Sequence, residues 1–350
     1  MDSIRELKID EIEKVVIGFG EKKFRAKQIF QWIHQKGISE FKQMRNIPNS
    51  LIEKLQERYY LQNMNVEKVS ESAEDGTKKI LFNFKDNEVV ETVLMKYKYG
   101  NSICISTQVG CRMGCRFCAS TIGGLKRNIT AGEMLGQVYE VNRMIDKNIN
   151  HIVLMGSGEP LENFDEVMKF LEMINHSEGY YLSLRNITIS TCGLIPEIKK
   201  LADKKLQITL AISLHGATDD TRNKLMPINK KYPVEELLKA VDYYIEKTNR
   251  RITFEYAMIK DLNDSIAEAR ILGKLLKGKL VHVNLIPINE VEENQFYPSD
   301  DKQIIKFKSI LEKTGINVTI RRELGSDINA ACGQLRNNYN QIKIEIIEKL

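Results

Sequence analysis

The sequence has no long apolar segment. No run of apolar residues approaches the roughly 20 that a membrane-spanning helix needs, although 42% of the 350 residues are hydrophobic. The first residues, MDSIRELK, contain no apolar core of a secretory signal peptide. We therefore expect a soluble, cytoplasmic protein without a membrane partner, and with enough apolar residues for a sizeable core.

Cysteine is scarce, and its distribution is uneven. The chain has six cysteines, whereas a secreted disulfide scaffold would be shorter and richer in them. Four of the six lie within the 15 positions from 104 to 118. In a reducing compartment, such crowding indicates metal binding or cysteine chemistry. The net charge of +5 is small, so it permits an anionic partner without requiring one.

The chain divides into segments of different pattern. The apolar residues of Lys22–Ile33 recur at helical spacing, with basic residues on the remaining face. Further along, Lys79–Phe84 and Val89–Met95 predict two strands of a hairpin around a turn at 85–87. We expect three units: an N-terminal helical domain that resembles an RNA-binding domain (1–62), a β-hairpin linker region (63–98) and a core barrel (99–340).

The third unit predicts alternating strands and helices. Strands are predicted at Ile103–Thr107, Ile152–Met155, Ile187–Thr191, Ile208–Leu214, Ile252–Met258, Val281–Ile286 and Val318–Arg321. Helical stretches lie between them, such as 131–147, 163–175, 233–248 and 264–277. Repeated βα units indicate a parallel sheet, and about six units fit an open barrel better than a closed eight-stranded one. Nearly every unusual polar motif follows a predicted strand, where the sites of such folds gather.

Cys111, Cys115 and Cys118 form a C-x₃-C-x₂-C motif. A structural zinc site usually takes four ligands, often as two cysteine pairs, but the sequence has no second pair and its five histidines are scattered. Iron–sulfur clusters bind thiolates at such short spacings. Three thiols can hold three irons of a cubane and leave the fourth iron open to a small molecule. The motif therefore favours a cluster over zinc or unrelated buried thiols.

With Phe117 before its last cysteine, the motif resembles the signature of the radical S-adenosylmethionine (SAM) superfamily. Further motifs follow successive predicted strands, at Met155–Pro160 (MGSGEP), Ser190–Gly193, Ser213–His215 and Pro287–Asn289. The resemblance implies that a reduced [4Fe–4S] cluster cleaves SAM to a 5′-deoxyadenosyl radical. The fold class that we expect is α/β, with a partial (β/α)6 radical SAM barrel, an N-terminal helical accessory domain and a small β-hairpin element.

Longer strings resemble one family, the RlmN dual-specificity RNA methyltransferases with the related Cfr enzymes. The matching strings are Glu91–Val93, Cys104–Cys111, Ala119–Asn128, Met155–Pro160, Ser213–His215 and Ala330–Leu335. Ser157 stands where we would expect methionine, a side-chain change that should leave the backbone contacts of the turn intact. The resemblance implies methylation of C2 of an adenosine in 23S rRNA, at nucleotide 2503, and in tRNA, at nucleotide 37.

The resemblance also implies the cofactors and their ligands. Cys111, Cys115 and Cys118 would bind the [4Fe–4S] cluster, and two SAM molecules would be consumed per turnover. The residues expected to contact SAM are Gly158, Glu159, Ser190, Ser213, Leu214, His215 and Asn289. We expect a monomer that receives its electron from a donor such as flavodoxin.

C2 of adenine is an electron-poor carbon, so the chemistry requires a radical rather than displacement at the methyl group of SAM. The resemblance implies that Cys332 takes a methyl group from one SAM, and that a radical from a second SAM activates this methyl group for addition to C2. Glu91 would remove the C2 proton, and Cys104 would release the product by forming a transient disulfide bond with Cys332. Taken alone, both cysteines are typical of buried thiols and Glu91 of a solvated carboxylate. Cys192 is expected to be a buried barrel residue without a role.

Basic residues are candidates for contacts with the RNA phosphates. They are Lys22, Lys23, Arg25 and Lys27 near Trp32, then Arg112, Arg116, Lys126 and Arg127 beside the cluster motif, and Arg321 and Arg322 before Cys332. A solvated helix face explains the first group equally well.

Two alternatives stay open. Cfr-like methylation of C8 shares the same cysteines, although Glu159-Pro160 and the segment 120–124 look more like RlmN. A non-catalytic iron–sulfur RNA-binding protein or sensor would not need Cys104, Cys332 and Glu91 together.

Overall fold

A computed structural model describes residues 1–145, 148–289, 296–330 and 333–335. The N-terminal segment is helical, as predicted. Its elements are β1 (Asp2–Ser3), α1 (Ile9–Gly18), α2 (Phe24–Phe30), α3 (Asn49–Arg58) and β2 (Tyr59–Tyr60). The predicted amphipathic helix ends differently from the expectation, because α2 continues as a π-helical turn over Gln31–Gln35. α3 begins directly after Pro48.

The predicted hairpin forms and gains a third strand. The strands are β3 (Asn65–Glu71), β4 (Lys78–Asn83) and β5 (Val89–Tyr97). β4 pairs antiparallel with both of its neighbours, and β5 pairs antiparallel with the first barrel strand. The hairpin therefore extends the barrel sheet without a break. The division at residues 62 and 98 into three domains stays a prediction.

Parallel strands form the barrel. They are β6 (Gly100–Cys104), β9 (Ile149–Leu154), β10 (Ile187–Thr191), β11 (Thr209–Ser213), β12 (Ile252–Met258), β13 (Val281–Pro287) and β14 (Asn317–Ile320). With the hairpin they make a sheet of ten strands among the described residues, in the order β14-β13-β12-β11-β10-β9-β6-β5-β4-β3. All seven predicted strands are present, but the first starts earlier than expected, so that Cys104 is its last residue.

Helices cover the outside of the barrel. They are α4 (Ala131–Arg143), α5 (Phe164–Asn175), α6 (Ile195–Asp203), α7 (Asp219–Leu225), α8 (Val234–Thr248), α9 (Ile266–Leu276) and α10 (Asp301–Lys313). Thr130 starts α4 with a capping box, in which its hydroxyl accepts the N–H of Glu133. In the described part of the chain, each of the six parallel strands β6 and β9–β13 is followed by a helix before the next parallel strand, which confirms the partial (β/α)6 barrel.

A small antiparallel sheet interrupts the first βα unit. It consists of β7 (Gln108–Gly110) and β8 (Leu125–Asn128), and the sequence did not predict it. The cysteine motif lies in the loop between these two strands, beyond the carboxyl end of β6.

One hydrophobic cluster joins the N-terminal helices to the barrel. It contains Phe30 and Leu51 from the first segment, Leu135 from α4, and Leu210 and Val283 from the central strands. In the central strands, buried residues alternate with half-buried ones, such as Ser190 on β10 and Asn284 on β13. Within the described residues, no helix combines the length and the apolar character that crossing a bilayer would require.

Candidate active site

The loop that carries the cysteine motif is closed tightly at its base. Gly110 has a φ of +76°, and a Cβ at this position would lie 2.0 Å from the carbonyl oxygen of Gly124. The N–H of Cys111 donates to the same carbonyl at 3.1 Å. Only glycine tolerates both the positive φ and the close approach. The closed base fixes the point at which the motif leaves β7.

Cys111, Cys115 and Cys118 line one wall of a cavity at the carboxyl ends of the barrel strands. Burial raises the pKa of the Cys111 thiol to about 12, although the N–H of Met113 donates to its sulfur and partly offsets this effect. Burial also raises the pKa of Cys115 well above the ordinary value. Without metal these two thiols are protonated at neutral pH, so binding of iron must displace their protons.

The donor set fits an iron–sulfur cluster. Three thiols in one cavity match the ligation of a cubane, in which each cysteine binds a different iron. Among the described residues, no three His, Cys, Asp or Glu side chains are grouped so that they could hold a single metal ion. A cubane cluster does not need three ligands around one metal ion, because each of its cysteines binds a different iron.

The opposite wall is formed by the ends of three neighbouring strands. Gly158, Glu159, Ser190, Ser213 and His215 line the same cavity as the cysteines. The structure therefore brings together five of the seven residues expected to contact SAM.

The other two residues lie elsewhere. The side chain of Leu214 is fully buried in the main hydrophobic cluster. Asn289 lines a second, adjoining cavity.

The turn after β9 is fixed by its backbone. Gly158 has a φ of +107°, and a Cβ there would lie 2.5 Å from the Cβ of Gln108. The carbonyl of Ser157 accepts the N–H groups of Thr107 at 2.9 Å and Gln108 at 3.1 Å. None of these contacts uses the side chain of Ser157, which agrees with the expectation that serine leaves the backbone contacts intact.

Glu159 ties this turn to the next strand. Its Oε2 accepts the N–H of Cys192 at 2.7 Å, and its Oε1 accepts the N–H of Leu161 at 3.0 Å. Burial raises the pKa of Glu159, against the effect of these hydrogen bonds. The side chain therefore joins the ends of β9 and β10 at the cavity wall.

His215 presents a neutral ring to the cavity. Its Nδ1 accepts the N–H of Ala257 at 2.9 Å, so the proton of the neutral ring is on Nε2. Burial, with a smaller effect from Arg222, lowers the pKa of His215 to about 3. The ring contacts Phe117 edge-on at a centroid distance of 4.7 Å. His215 is thus suited to donating a hydrogen bond from Nε2 and not to acting as a base.

Sequence reasoning missed Glu255 and Arg222. Glu255 on β12 lines the cavity; its Oε2 accepts a hydrogen bond from Asn284 at 2.9 Å and lies 3.9 Å from Nη1 of Arg321. Burial raises its pKa. A carboxylate inside the otherwise apolar strand Ile252–Met258 is a signal that could have found it.

Arg222 connects the ends of two strands from the interior of the protein. The fully buried guanidinium donates to the carbonyl of Cys192 at 2.6 Å from Nη2 and to that of Leu214 at 3.1 Å from Nε. The arginine fixes the loops after β10 and β11 and so shapes the cavity wall.

A second cavity adjoins the first. Cys104 lines it together with Asn289, and Met155 and Arg321 line both cavities. The two cavities therefore share a wall, and Cys104 lies on the side away from the cysteine motif.

The described residues near Cys332 contact both cavities, although Cys332 itself lies outside the described residues. We define the C-terminal loop as residues 321–330 and 333–335. Ala330 packs with Cys104 in a small apolar cluster. The carbonyl of Gly333 accepts the N–H of Ala119 at 2.8 Å, and Gly333 lines the first cavity.

Glu91 lies on β5, close to this loop. Its Oε1 is 3.1 Å from Nζ of Lys79, and the two side chains are 12% and 17% exposed. Nζ of Lys79 also donates to the carbonyl of Asn329 at 3.1 Å. Glu91 is therefore not the solvated carboxylate that it would be taken for on its own, and its role as a base stays a prediction.

Several of the basic residues considered for RNA binding form ion pairs within the protein. The pairs are Lys23 with Glu13, Lys27 with Glu178, Arg112 with Glu162, Lys126 with Glu88, and Arg127 with Asp86 and Glu133. Arg127 also lies over the ring of Phe84 at 4.8 Å. These basic side chains therefore have partners within the protein, and a role of the same residues in RNA binding stays a prediction.

Comparison with known proteins agrees with this geometry. Residues 105–270 match the family model of the radical SAM superfamily, and residues 3–61 match the model of the ribosomal RNA large subunit methyltransferase N-terminal domain. A protein of Clostridium perfringens (strain SM101 / Type A), named a probable dual-specificity RNA methyltransferase RlmN, is 52% identical over 98% of this chain and 99% of its own. A protein of the same name from Clostridium novyi (strain NT) is 54% identical over 97% of this chain and 99% of its own.

A solved structure has the same fold. The crystal structure of a radical SAM methyltransferase from Sphaerobacter thermophilus is 39% identical, covers 97% of this chain and 100% of its own, and superposes with a TM-score of 0.93. Identity of this extent, together with both family models, establishes the relationship. The chain belongs to the RlmN family of radical SAM methyltransferases.

Proposed function

We propose that the protein methylates C2 of an adenosine in 23S rRNA, at nucleotide 2503, and in tRNA, at nucleotide 37, through an S-methylcysteine at Cys332. One observation carries the proposal: the cavity of the three cysteine thiols adjoins a second cavity that contains Cys104 and contacts the residues flanking Cys332. A non-catalytic iron–sulfur protein would have no use for the second cavity. The names of the relatives, which specify RNA methylation, agree.

The first cavity is assigned to the cluster and SAM. Cys111, Cys115 and Cys118 would hold a [4Fe–4S] cluster, which supplies the electron that cleaves SAM when both are bound. Gly158 and Glu159 would lie beside the amino group of SAM. Ser190, Ser213 and His215 would supply hydrogen bonds from the facing strand ends, and Asn289 would contact SAM from the second cavity. Because its ring is neutral, His215 is suited to binding SAM.

The chain's own residues carry out the remaining steps. Cys332 carries the methyl group and joins it to C2. Glu91 then accepts the C2 proton. The adduct gives up its unpaired electron, for which the oxidised cluster would be the acceptor. The Cys104 thiolate then attacks the sulfur of Cys332, so that an S–S bond forms while the S–C bond to the base breaks with its electron pair on carbon. This carbon takes up a proton to become the methyl group, and cellular thiols reduce the disulfide bond.

The substrate base has to leave its surroundings to reach a cavity inside the barrel. Arg321 lies between the two cavities and is a candidate for holding the RNA there. These substrates imply a cytoplasmic location. Action as a monomer and reduction by a flavodoxin-like donor remain predictions.

Trapping tests the proposal. Cys104→Ala should purify from cells with RNA covalently attached, because the variant forms the adduct and lacks the thiol that resolves it. Cys332→Ala should carry none. Cys192→Ala, which also removes a buried thiol, should carry none either. A Cys104→Ala protein with an intact cluster and no attached RNA would contradict the proposal.

The position of methylation needs a separate measurement. After anaerobic turnover with rRNA fragments and with tRNA, nucleoside mass spectrometry against authentic 2-methyladenosine and 8-methyladenosine should detect the first product. Detection of 8-methyladenosine instead would identify the Cfr-like alternative.

A further inference from the structure

The C-terminal loop is docked on the turn between β3 and β4. Oδ2 of Asp75 accepts the N–H of Gly325 at 2.9 Å, and Oδ2 of Asp327 accepts the N–H of Ala73 at 3.1 Å. Asp75 is itself fixed, because its Oδ1 accepts the N–H of Thr77 at 2.8 Å. The turn and the loop thus hold each other by reciprocal carboxylate-to-backbone contacts.

Lys79 connects this docked loop to Glu91. In the register of the hairpin, Lys79 pairs with Val93 and Glu91 pairs with Leu81. Lys79 and Glu91 are therefore diagonal neighbours on one face of the sheet. The lysine Nζ lies 3.1 Å from Oε1 of Glu91 and 3.1 Å from the carbonyl oxygen of Asn329. An ammonium group has several rotatable donors, so one lysine can serve both acceptors at once.

The backbone of Glu91 is held independently. The Ser106 hydroxyl donates to the carbonyl of Glu91 at 2.8 Å, which fixes the strand but not the carboxylate. Lys79, with its side chain largely buried, contacts the carboxylate itself. Lys79 therefore contributes to the direction of that carboxylate, and the place of Lys79 depends in part on the loop that leads to Cys332.

We propose that Lys79 is a positioning residue that orients Glu91 for removal of the C2 proton when the C-terminal loop is docked. This inference rests on the proposed function. In the step concerned, the C2–H bond of the adduct breaks, an O–H bond forms on Glu91, and the electron pair stays in the adduct. Lys79 takes no proton and forms no covalent bond. Because Lys79 contacts both Glu91 and the carbonyl of Asn329, Glu91 is correctly oriented only when the C-terminal loop is docked.

The experiment measures single steps of the reaction. In single-turnover reactions with the reconstituted protein and RNA, Lys79→Met should slow resolution of the protein–RNA adduct about 100-fold, the usual cost of displacing a catalytic group by about 1 Å. Methylation of Cys332 and formation of 5′-deoxyadenosine precede this step and should stay within about twofold of wild type. Lys79→Arg keeps a cation with several donors and should recover most of the rate.

Lys78→Met is the matched control. Lys78 precedes Lys79 on β4, so its side chain points to the other face of the sheet, where it lies 3.2 Å from Glu71. This variant should resolve the adduct at the wild-type rate. Glu91→Gln provides the reference for complete loss of the base.

The outcomes separate this inference from the proposed function. If Glu91→Gln accumulates adduct and Lys79→Met does not, the role of Lys79 is overturned and the proposed function stands. Loss of iron or of Cys332 methylation in Lys79→Met would also overturn it, because the lysine would then be needed only for the fold. If neither Glu91→Gln nor Cys104→Ala forms adduct, the proposed function itself fails.

Discussion

At the scale of single residues, burial decides what the histidines can do. His34 is fully buried, with its Nδ1 3.0 Å from the hydroxyl of Tyr139 and its ring 4.4 Å from that of Phe30. Burial, with a smaller effect from Arg5, lowers the pKa of His34 well below its ordinary value. The folded protein therefore keeps this ring neutral where the unfolded chain would protonate it.

This burial predicts a loss of stability in acid. Below about pH 6.5 the unfolded state takes up a proton that native His34 does not, so stability falls as the pH falls. By pH 5 the contribution of one such histidine reaches about 2 kcal/mol. Urea unfolding at pH 7 and pH 5 should show a smaller loss in His34→Gln than in wild type. Equal losses in the two proteins would contradict the prediction.

Arg222 yields a second prediction about a single residue. Replacement by methionine leaves the carbonyls of Cys192 and Leu214 without their donor, and each such buried group costs about 1–3 kcal/mol. We expect Arg222→Met to lower the free energy of unfolding by about 3 kcal/mol. The exposed Arg185, whose guanidinium donates to the side-chain oxygen of Gln207 at 3.3 Å, is the control: Arg185→Met should change the free energy of unfolding by less than about 0.5 kcal/mol.

At the scale of elements, apolar pattern made the barrel predictable. Ile252–Met258 is buried almost throughout, whereas in Ile187–Thr191 buried isoleucines alternate with half-buried polar residues, of which Ser190 lines the cavity. β7 and β8 escaped prediction because they are three and four residues long and exist only where the motif loop closes through Gly110. Such short elements depend on long-range contacts that a local pattern does not contain.

The candidate active site shows the same difference between features that a local pattern predicts and features that depend on long-range contacts. Gly158, Ser190 and His215 could be placed together because each lies at or just beyond the carboxyl end of a strand of one parallel sheet. Glu255 enters the cavity from the middle of a strand, and its neighbour Arg321 arrives from beyond β14. The carboxylate inside an apolar strand could have indicated that Glu255 is unusual, but its contact with Arg321 follows from how the barrel closes, and the sequence pattern alone does not reveal that contact.

Docking of the C-terminal loop predicts a sharp effect at Gly325. Its φ is +66°, and a Cβ there would lie 2.9 Å from Cβ of Ala330 and from Cγ2 of Thr77. Gly325→Ala should undock the loop, seen as faster proteolysis near the C-terminus and slower methylation of Cys332. Gly315 also has a positive φ, +85°, with no atom within 4 Å of such a Cβ. Gly315→Ala should therefore show the backbone strain without either effect.

At the scale of the whole molecule, the N-terminal segment and the barrel share their core. Arg5 is fully buried, donates to the carbonyls of Gln62 and Ile38, and lies over the ring of Tyr139 on α4 at 5.4 Å. Burial lowers its pKa to about 10, so the group stays charged at neutral pH. The arginine holds three parts of the chain around one point.

Shared packing predicts unfolding in a single step. Calorimetry should show one transition for wild type, and Arg5→Met should lower the free energy of unfolding by about 3 kcal/mol, because a buried donor to two carbonyls is lost. Arg58→Met, at a more exposed position on α3, should leave the transition unchanged. Two separate transitions in wild type would show that the segments are stabilised independently.

The contacts between the β3–β4 turn and the C-terminal loop span 250 or more positions of the chain. Closing so long a segment is entropically costly, and contacts of high sequence separation slow folding. We therefore expect the barrel that offers three thiols to iron to assemble before the loop is in place. On this expectation the protein can take up metal first and becomes able to modify a base only after the loop has docked.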